Sequence, residues 1–173
     1  TFGRLLCVVG SRRYPGAAVL ASSGAYRAGA GLVTLASPES VDAMVAPRIV
    51  EATHLPLPER DGGVASEAAA VVRESLGDYA ALLIGCGLSN EPQVEAFVQA
   101  LLLQEPSPNL PMVLDADALN ILANVPDWWK QLKASAVLTP HPGEMARLTG
   151  RSTAQVQASR LDSAREAARR WGQ

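Results

Sequence analysis

The side chains best suited to chemistry sit in two short stretches, Thr139-Pro140-His141-Pro142-Gly143-Glu144 and Asp115-Ala116-Asp117. Pro142 suits the first position of a helix, where no backbone N–H is needed, so His141 falls at a helix amino terminus. Free N–H groups there favour an anion, and an imidazole beside them can donate or accept hydrogen bonds. Glu144, one turn on, has the reach to orient a water or a metal-bound phosphate. The same residues also make an ordinary proline-rich turn, with His141 as the cap and Glu144 answering the helix dipole. Asp115 and Asp117 would share a face if extended geometry persisted, and could bind Mg²⁺ or a sugar hydroxyl. Capping of the following helix is the competing role, and it fits Asp117 better. Asp115 is therefore the site candidate of the pair.

Two glycine-punctuated loops offer backbone rather than side chains. Gly85-Cys86-Gly87-Leu88-Ser89 lacks a Cβ at two positions, so the flat face of a ligand could lie on it. It is no P-loop, since no Gly-Lys-Ser/Thr follows, and no full Gly-x-Gly-x-x-Gly. Cys86 has no base paired with it in the sequence and is better read as a small buried residue than as a nucleophile. Gly10-Ser11-Arg12-Arg13-Tyr14-Pro15-Gly16-Ala17 could aim N–H groups at phosphate or amide oxygens, with Arg12 and Arg13 adding charge or merely solvated. An ordinary strand-to-helix loop would look the same.

All four stretches follow short apolar runs: Leu5–Val9, Ala80–Ile84, Met112–Leu114 and Ala136–Leu138. Runs such as Ala80-Ala81-Leu82-Leu83-Ile84 are apolar on both faces, as in a parallel strand covered on each side by helices. Further strands are expected at Leu32–Leu35 and within Val50–Leu57, and helices at Ala17–Ala30, Val41–Val45, Ser66–Leu76, Gln93–Leu103, Ala118–Leu122 and Gly143–Leu148. Ser66 reads as a helix cap. Thr153–Trp171 reads as the longest helix, opened by a Ser152/Gln155 capping box and carrying an apolar stripe of Val156, Leu161, Ala164, Ala168 and Trp171. Leu57–Gly63 and Gln104–Pro111 read as loops. Strand–helix alternation implies right-handed crossovers, and ligands in such sheets bind outside the carboxyl ends of the strands. The four decorated strand ends thus describe one composite site.

The chain is 48% hydrophobic and only 18% charged, which excludes disorder, and its net charge of −2 gives no basic footprint for nucleic acid. No apolar stretch reaches the ~18 residues of a membrane span. Cys7 and Cys86, without a secretory signal, point to a reducing, cytoplasmic setting rather than a disulfide framework. Ala-rich apolar helices leave room for subunit contacts, so a homo-oligomer is expected.

Taken in order, the Gly-Ser-x-x-Tyr-x-Gly-Ala loop, Arg27-Ala28-Gly29-Ala30-Gly31-Leu32-Val33, Gly85-Cys86-Gly87-Leu88, Asp115-Ala116-Asp117-Ala118-Leu119-Asn120 and Thr139-Pro140-His141-Pro142-Gly143-Glu144 resemble the ADP- or ATP-dependent NAD(P)H-hydrate dehydratases. The resemblance covers nearly the whole chain and implies a ribokinase-like α/β fold, a mostly parallel sheet with helices on both faces. It implies a repair reaction in which ADP or ATP, with Mg²⁺, phosphorylates the hydroxyl of a hydrated dihydronicotinamide, and loss of phosphate regenerates NADH or NADPH. By position, Ala17, Gly85, Gly87, Asp115 and His141 would line the substrate site. Glu144 stands where related kinases keep a Glu linked to Mg²⁺ and phosphate. An NAD(P)H-hydrate epimerase domain is a possible fused partner.

Two departures accompany the resemblance. Cys86 and Ser89 replace a Pro and a Gly in the family's Gly-Pro-Gly-Leu-Gly loop. The family's Gly-Thr-Gly-Asp loop, which binds the nucleotide and supplies the catalytic Asp, has no counterpart up to Gln173. The expectation is one α/β domain over residues 1–173, incomplete at its carboxyl end and inactive alone, with its catalytic Asp beyond Gln173. A vitamin or sugar kinase of the same fold is the nearest alternative, disfavoured because such enzymes usually carry Asn where His141 stands. A non-catalytic binding module is the alternative from another class.

Overall fold

The computed structural model describes residues 2–173. Six of its strands form one parallel sheet in the order β3-β2-β1-β6-β7-β8: β1 (Arg4–Val8), β2 (Leu32–Pro38), β3 (Thr53–Leu57), β6 (Ala81–Ile84), β7 (Met112–Leu114) and β8 (Ala136–Leu138). The chain builds outward from β1 to β3, returns to the other side of β1 with β6, and then builds outward to β8. Strand order therefore reverses between β1 and β6, where Val8 pairs with Ile84. A crevice opens at such a reversal because the flanking connections leave to opposite faces of the sheet.

Those faces have separate cores. Helices α1 (Pro15–Arg27) and α2 (Glu39–Val45) cover one, over Cys7, Val9, Val33 and Leu35. Helices α3 (Ala68–Ser75), α4 (Pro92–Leu103) and α5 (Ala116–Leu122) cover the other, over Leu6, Val8, Leu82, Ile84 and Leu114. Neighbouring residues of one strand thus belong to opposite cores, as the doubly apolar runs require. Proline stands in the first turn of α1, α4 and α6 (Pro142–Thr149), and α6 stops at Gly150, whose φ of 70° is the left-handed conformation glycine adopts most readily.

Four expectations need correction. The stretch from Thr153 to Trp171 is two helices, α7 (Thr153–Ala158) and α8 (Arg160–Trp171). At the break Ser159 leaves helical geometry, with φ −146° and ψ 55°, and its hydroxyl donates back to the Gln155 carbonyl. The break resets the helical phase, so α8 buries Ser163, Ala167 and Trp171, while Leu161 is 73% exposed. Ser66 does not cap α3; its hydroxyl donates to the Glu67 carboxylate. The N–H groups of Ala68, Ala69 and Ala70 reach carbonyls three residues back, a tighter turn that satisfies those donors without a side chain. Within Leu57–Gly63 lies the start of a small antiparallel hairpin, β4 (Glu59–Arg60) with β5 (Gly63–Val64). Its turn, Asp61-Gly62, has positive φ at both residues, the pairing that two-residue hairpins favour. Finally, Asp115, not Asp117, occupies the position preceding α5, and its side chain does not cap it.

Candidate functional site

Two loops meet at the reversal between β1 and β6. The Gly10 N–H donates to the Cys86 carbonyl at 2.8 Å, fastening the loop after β1 to the loop after β6. The glycines there serve close approach of the chain to itself. A Cβ on Gly85, whose φ is 127°, would lie 1.9 Å from the Asp115 carbonyl oxygen. A Cβ on Gly87 would lie 2.6 Å from that of Ala17 and 3.0 Å from that of Tyr14. Much of the room left by the missing side chains is therefore filled by α1 and by the turn into α5. The N–H groups of Gly10, Arg12, Tyr14 and Ala17 are likewise bonded within the chain, the first two across to Cys86 and Gly62, so they do not await a ligand as the sequence suggested.

Asp115 ties three strand ends together. One carboxylate oxygen accepts from the Thr139 hydroxyl at 2.7 Å, after β8, and the other from the Cys86 thiol at 3.2 Å, after β6. Burial first, then the Asp115 carboxylate beside it, push the Cys86 thiol up to about 12. Near neutral pH it stays protonated, a donor to Asp115 and a poor nucleophile. Asp117 reaches the other way and accepts from the Ser89 N–H at 2.8 Å. Two residues here hold left-handed backbone without being glycine: Ala116 at φ 49° and Ser89 at φ 76°. Such strain persists where surrounding contacts over-determine it, and it clusters at functional sites.

His141 caps α6 through its ring. Nδ1 accepts from the N–H groups of Gly143 (3.0 Å) and Glu144 (3.4 Å), while the Glu144 carboxylate accepts from the His141 N–H at 2.8 Å. The other ring nitrogen, Nε2, lies 3.2 Å from the second Glu144 oxygen. Nδ1 is thus engaged, and the imidazole is 62% exposed. Glu144 is 4% exposed, and its carboxylate completes the capping box by accepting from the His141 N–H. Among the described residues no group of three His, Cys, Asp or Glu side chains could hold a metal. Mg²⁺ is usually held by one or two carboxylates together with substrate phosphates and waters, a role the Asp115 and Glu144 carboxylates could share.

The sites named from sequence fall into two connected groups. Ala17, Gly85, Gly87 and Asp115 meet at the crevice. His141 and Glu144 stand one strand outward, joined to Asp115 through the turn that carries Thr139. Sequence reasoning gave no role to Thr139, although its place one residue past β8 matches that of Asp115 one past β7. It also missed the Ser89–Asp117 link and the hairpin beside the crevice.

A parallel sheet wound this way, with its polar side chains gathered beyond the carboxyl ends of the strands, defines a doubly wound α/β domain with a ligand site at those ends. A ribokinase-like superfamily protein from Enterococcus faecalis shares the fold, with a TM-score of 0.75 at 20% identity over 99% of this chain and 55% of that one. The NAD(P)H-hydrate dehydratase family model matches residues 5–173, and the chain belongs to that family. The bifunctional NAD(P)H-hydrate repair enzyme Nnr of Moorella thermoacetica is 43% identical over 98% of this chain and 32% of its own length. The ADP-dependent (S)-NAD(P)H-hydrate dehydratase of Bacillus subtilis is 34% identical over 96% of this chain and 54% of its own. A crystal structure of the Bacillus subtilis ADP/ATP-dependent NAD(P)H-hydrate dehydratase, co-crystallised with ATP/Mg²⁺ and soaked with CoA, superposes with a TM-score of 0.73 at 32% identity, over 99% of this chain and 57% of that one. The chain thus spans between a third and somewhat over half the length of these relatives.

Proposed function

We propose that this chain carries the dinucleotide-facing part of the site of a nucleotide-dependent NAD(P)H-hydrate dehydratase. The observation that supports it is the family match over residues 5–173, which takes in every loop of the composite site. The reaction of the family uses ADP or ATP to phosphorylate the hydroxyl of the hydrated ring, and departure of phosphate with a ring proton restores the dihydronicotinamide. Phosphoryl transfer of this kind depends on positioning and electrostatics more than on covalent help from the protein.

On this reading the dinucleotide lies over the packed backbone of Ala17 and Gly87, with Gly85 keeping the turn close to α5. Asp115, immobilised by Thr139 and Cys86, orients the ring hydroxyl as a fixed acceptor. The exposed face of His141 stacks on the substrate, and the Gly143 and Glu144 N–H groups hold its ring through Nδ1. Glu144 keeps the place that related kinases give to a Glu linked to Mg²⁺ and phosphate. Partners follow the same logic: the hydrated cofactor is the substrate, an epimerase that equilibrates its stereoisomers is the functional neighbour, and a homo-oligomer is the expected assembly. Among the described residues no helix is long and apolar enough to cross a membrane.

The test supplies hydrated NADPH, Mg²⁺ and ADP or ATP to the protein translated from the complete gene, and follows the return of dihydronicotinamide absorbance. Turnover that falls in an Asp115→Asn variant of unchanged stability supports the assignment. A folded protein that leaves the hydrate untouched overturns it in favour of a small-molecule kinase or a binding module.

A further inference from the structure

The Asp61-Gly62 hairpin and the loop after β1 enclose a polar cavity of about 270 Å³, lined by Ser11, Arg12, Arg13, Gly62, Ser89 and Glu91 among others. We propose that this cavity is a phosphate subsite anchored by Arg12, and that it takes a phosphoryl group of the bound dinucleotide. The identity of the ligand rests on the function proposed above; the phosphate site itself does not.

Arg12 is fixed at its backbone and free at its head. Its N–H donates to the Gly62 carbonyl at 2.8 Å, and a Cβ on Gly62 would lie 2.8 Å from that of Arg12. Glycine at the turn is what lets the arginine stem lie along the hairpin. Among the described residues Arg12 has no ion pair, whereas Arg13 faces Glu91 at 3.8 Å. Glu91 also accepts from the Ser89 hydroxyl, so its charge is turned toward groups already present. Ser11, 2% exposed, also lines the cavity, and its hydroxyl is buried without a partner among the described residues. An unpaired guanidinium with five donors, beside an unsatisfied hydroxyl, matches the oxygens of a phosphate.

The position links this cavity to the crevice. A second cavity of about 260 Å³ is lined by Arg13, Tyr14, Gly87, Ser89, Asn90 and Asp117, and shares Arg13 and Ser89 with the first. A ligand whose ring lies at Gly87 can therefore run its phosphates past Ser89 toward Arg12. Asp61 also lines the Arg12 cavity, from the hairpin turn, and opposes an anion there. That opposition gives the test a variant of each sign.

The protein translated from the complete gene is titrated calorimetrically with NADP⁺, NAD⁺ and inorganic pyrophosphate. Arg12→Ala should weaken binding about tenfold or more, the worth of a hydrogen bond to a charged group. Asp61→Asn, which keeps a residue tolerant of positive φ, should tighten it about twofold or more. Unchanged melting temperatures, and partial rescue in Arg12→Lys, exclude unfolding as the cause. Loss confined to NADP⁺ assigns the 2′-phosphate; equal loss for NAD⁺ assigns the diphosphate. Pyrophosphate binding that depends on Arg12, with no dinucleotide bound, keeps the phosphate site and overturns the proposed function. Absence of binding by all three probes, or binding indifferent to Arg12, overturns the subsite.

Discussion

The crevice between β1 and β6 and the groove beside β8 open at opposite ends of the sheet's chemistry. The groove is the larger, about 700 Å³, and is lined by apolar side chains such as Val137, Met145, Val156, Ala164 and Trp171. The cavities at the crevice are less than half that size, yet they hold two arginines, two glycines with positive φ, a strained Ser89 and the Asp117 carboxylate. Size marks the place where the sheet lacks cover; convergent polar groups and strain mark the place built for a ligand. The difference follows from topology. At the crevice four segments meet, whereas β8 is an edge strand whose outward Val137 is 61% exposed.

If the crevice is the over-determined region, substitutions there must cost stability that substitutions in the groove do not. Gly85→Ala places a methyl on the Asp115 carbonyl and should destabilise by about 3 kcal/mol, measured by urea unfolding. A change under about 1 kcal/mol would mean that the turn into α5 gives way easily. Asp115→Ala leaves the Cys86 thiol and Thr139 hydroxyl without their acceptor, and should cost about 1–3 kcal/mol together with dinucleotide affinity. His141→Ala removes a helix cap at about 1 kcal/mol, so its loss of binding mixes two causes. His141→Asn separates them: asparagine caps as well as any residue, so stability should return while dinucleotide binding, measured calorimetrically, stays weakened. Recovery of both would leave the ring with a structural role only.

Smaller effects come from pH and from the groove. Cys7 and Cys86 are both held up to about 12 in the fold, Cys7 by burial and then by Cys86, against 9.0 unperturbed. The folded state therefore binds these protons more tightly than the unfolded chain does. Their contribution is whole below the unfolded value and is lost as pH rises through the folded one. The urea midpoint should fall between pH ~9 and pH ~12, and fall less in Cys86→Ala. Least of all, Leu161→Ser in the groove should shift stability by no more than about 0.5 kcal/mol, because that side chain is 73% exposed. A larger cost would show that the groove is as organised as the crevice.

The strands and their ends were legible because their signal is local: apolar runs of three to five residues, each stopped by glycine, aspartate or a proline turn. The Ser152/Gln155 box was legible for the same reason, being a spacing rule that the structure satisfies with both bonds. What failed depended on competition. Ser66 and Asp117 have the chemistry of caps, but the backbone at Glu67 closed its own turn, and Ser89 offered Asp117 a better partner across the crevice. The helix break at Ser159 turns on one hydroxyl choosing a carbonyl behind it. The hairpin was missed although Asp61-Gly62 is a strong turn dipeptide, because strands of two residues are too short to show alternation. At the site, sequence placed the residues but not their commitments: it could not show that the Glu144 carboxylate and His141 Nδ1 are already engaged in the cap.

The reversal of strand order has a kinetic side. β1 meets β2 after a single helix, but it meets β6 only after two more strands, a hairpin and two further helices have been traversed. Closing that long loop costs more chain entropy than the local pairing, so the seam between Val8 and Ile84 is expected to form after β1 pairs with β2. A chain with every helix formed and that seam open would have no crevice at all. Any ligand held at that crevice would bind only the closed form and would draw late intermediates toward it.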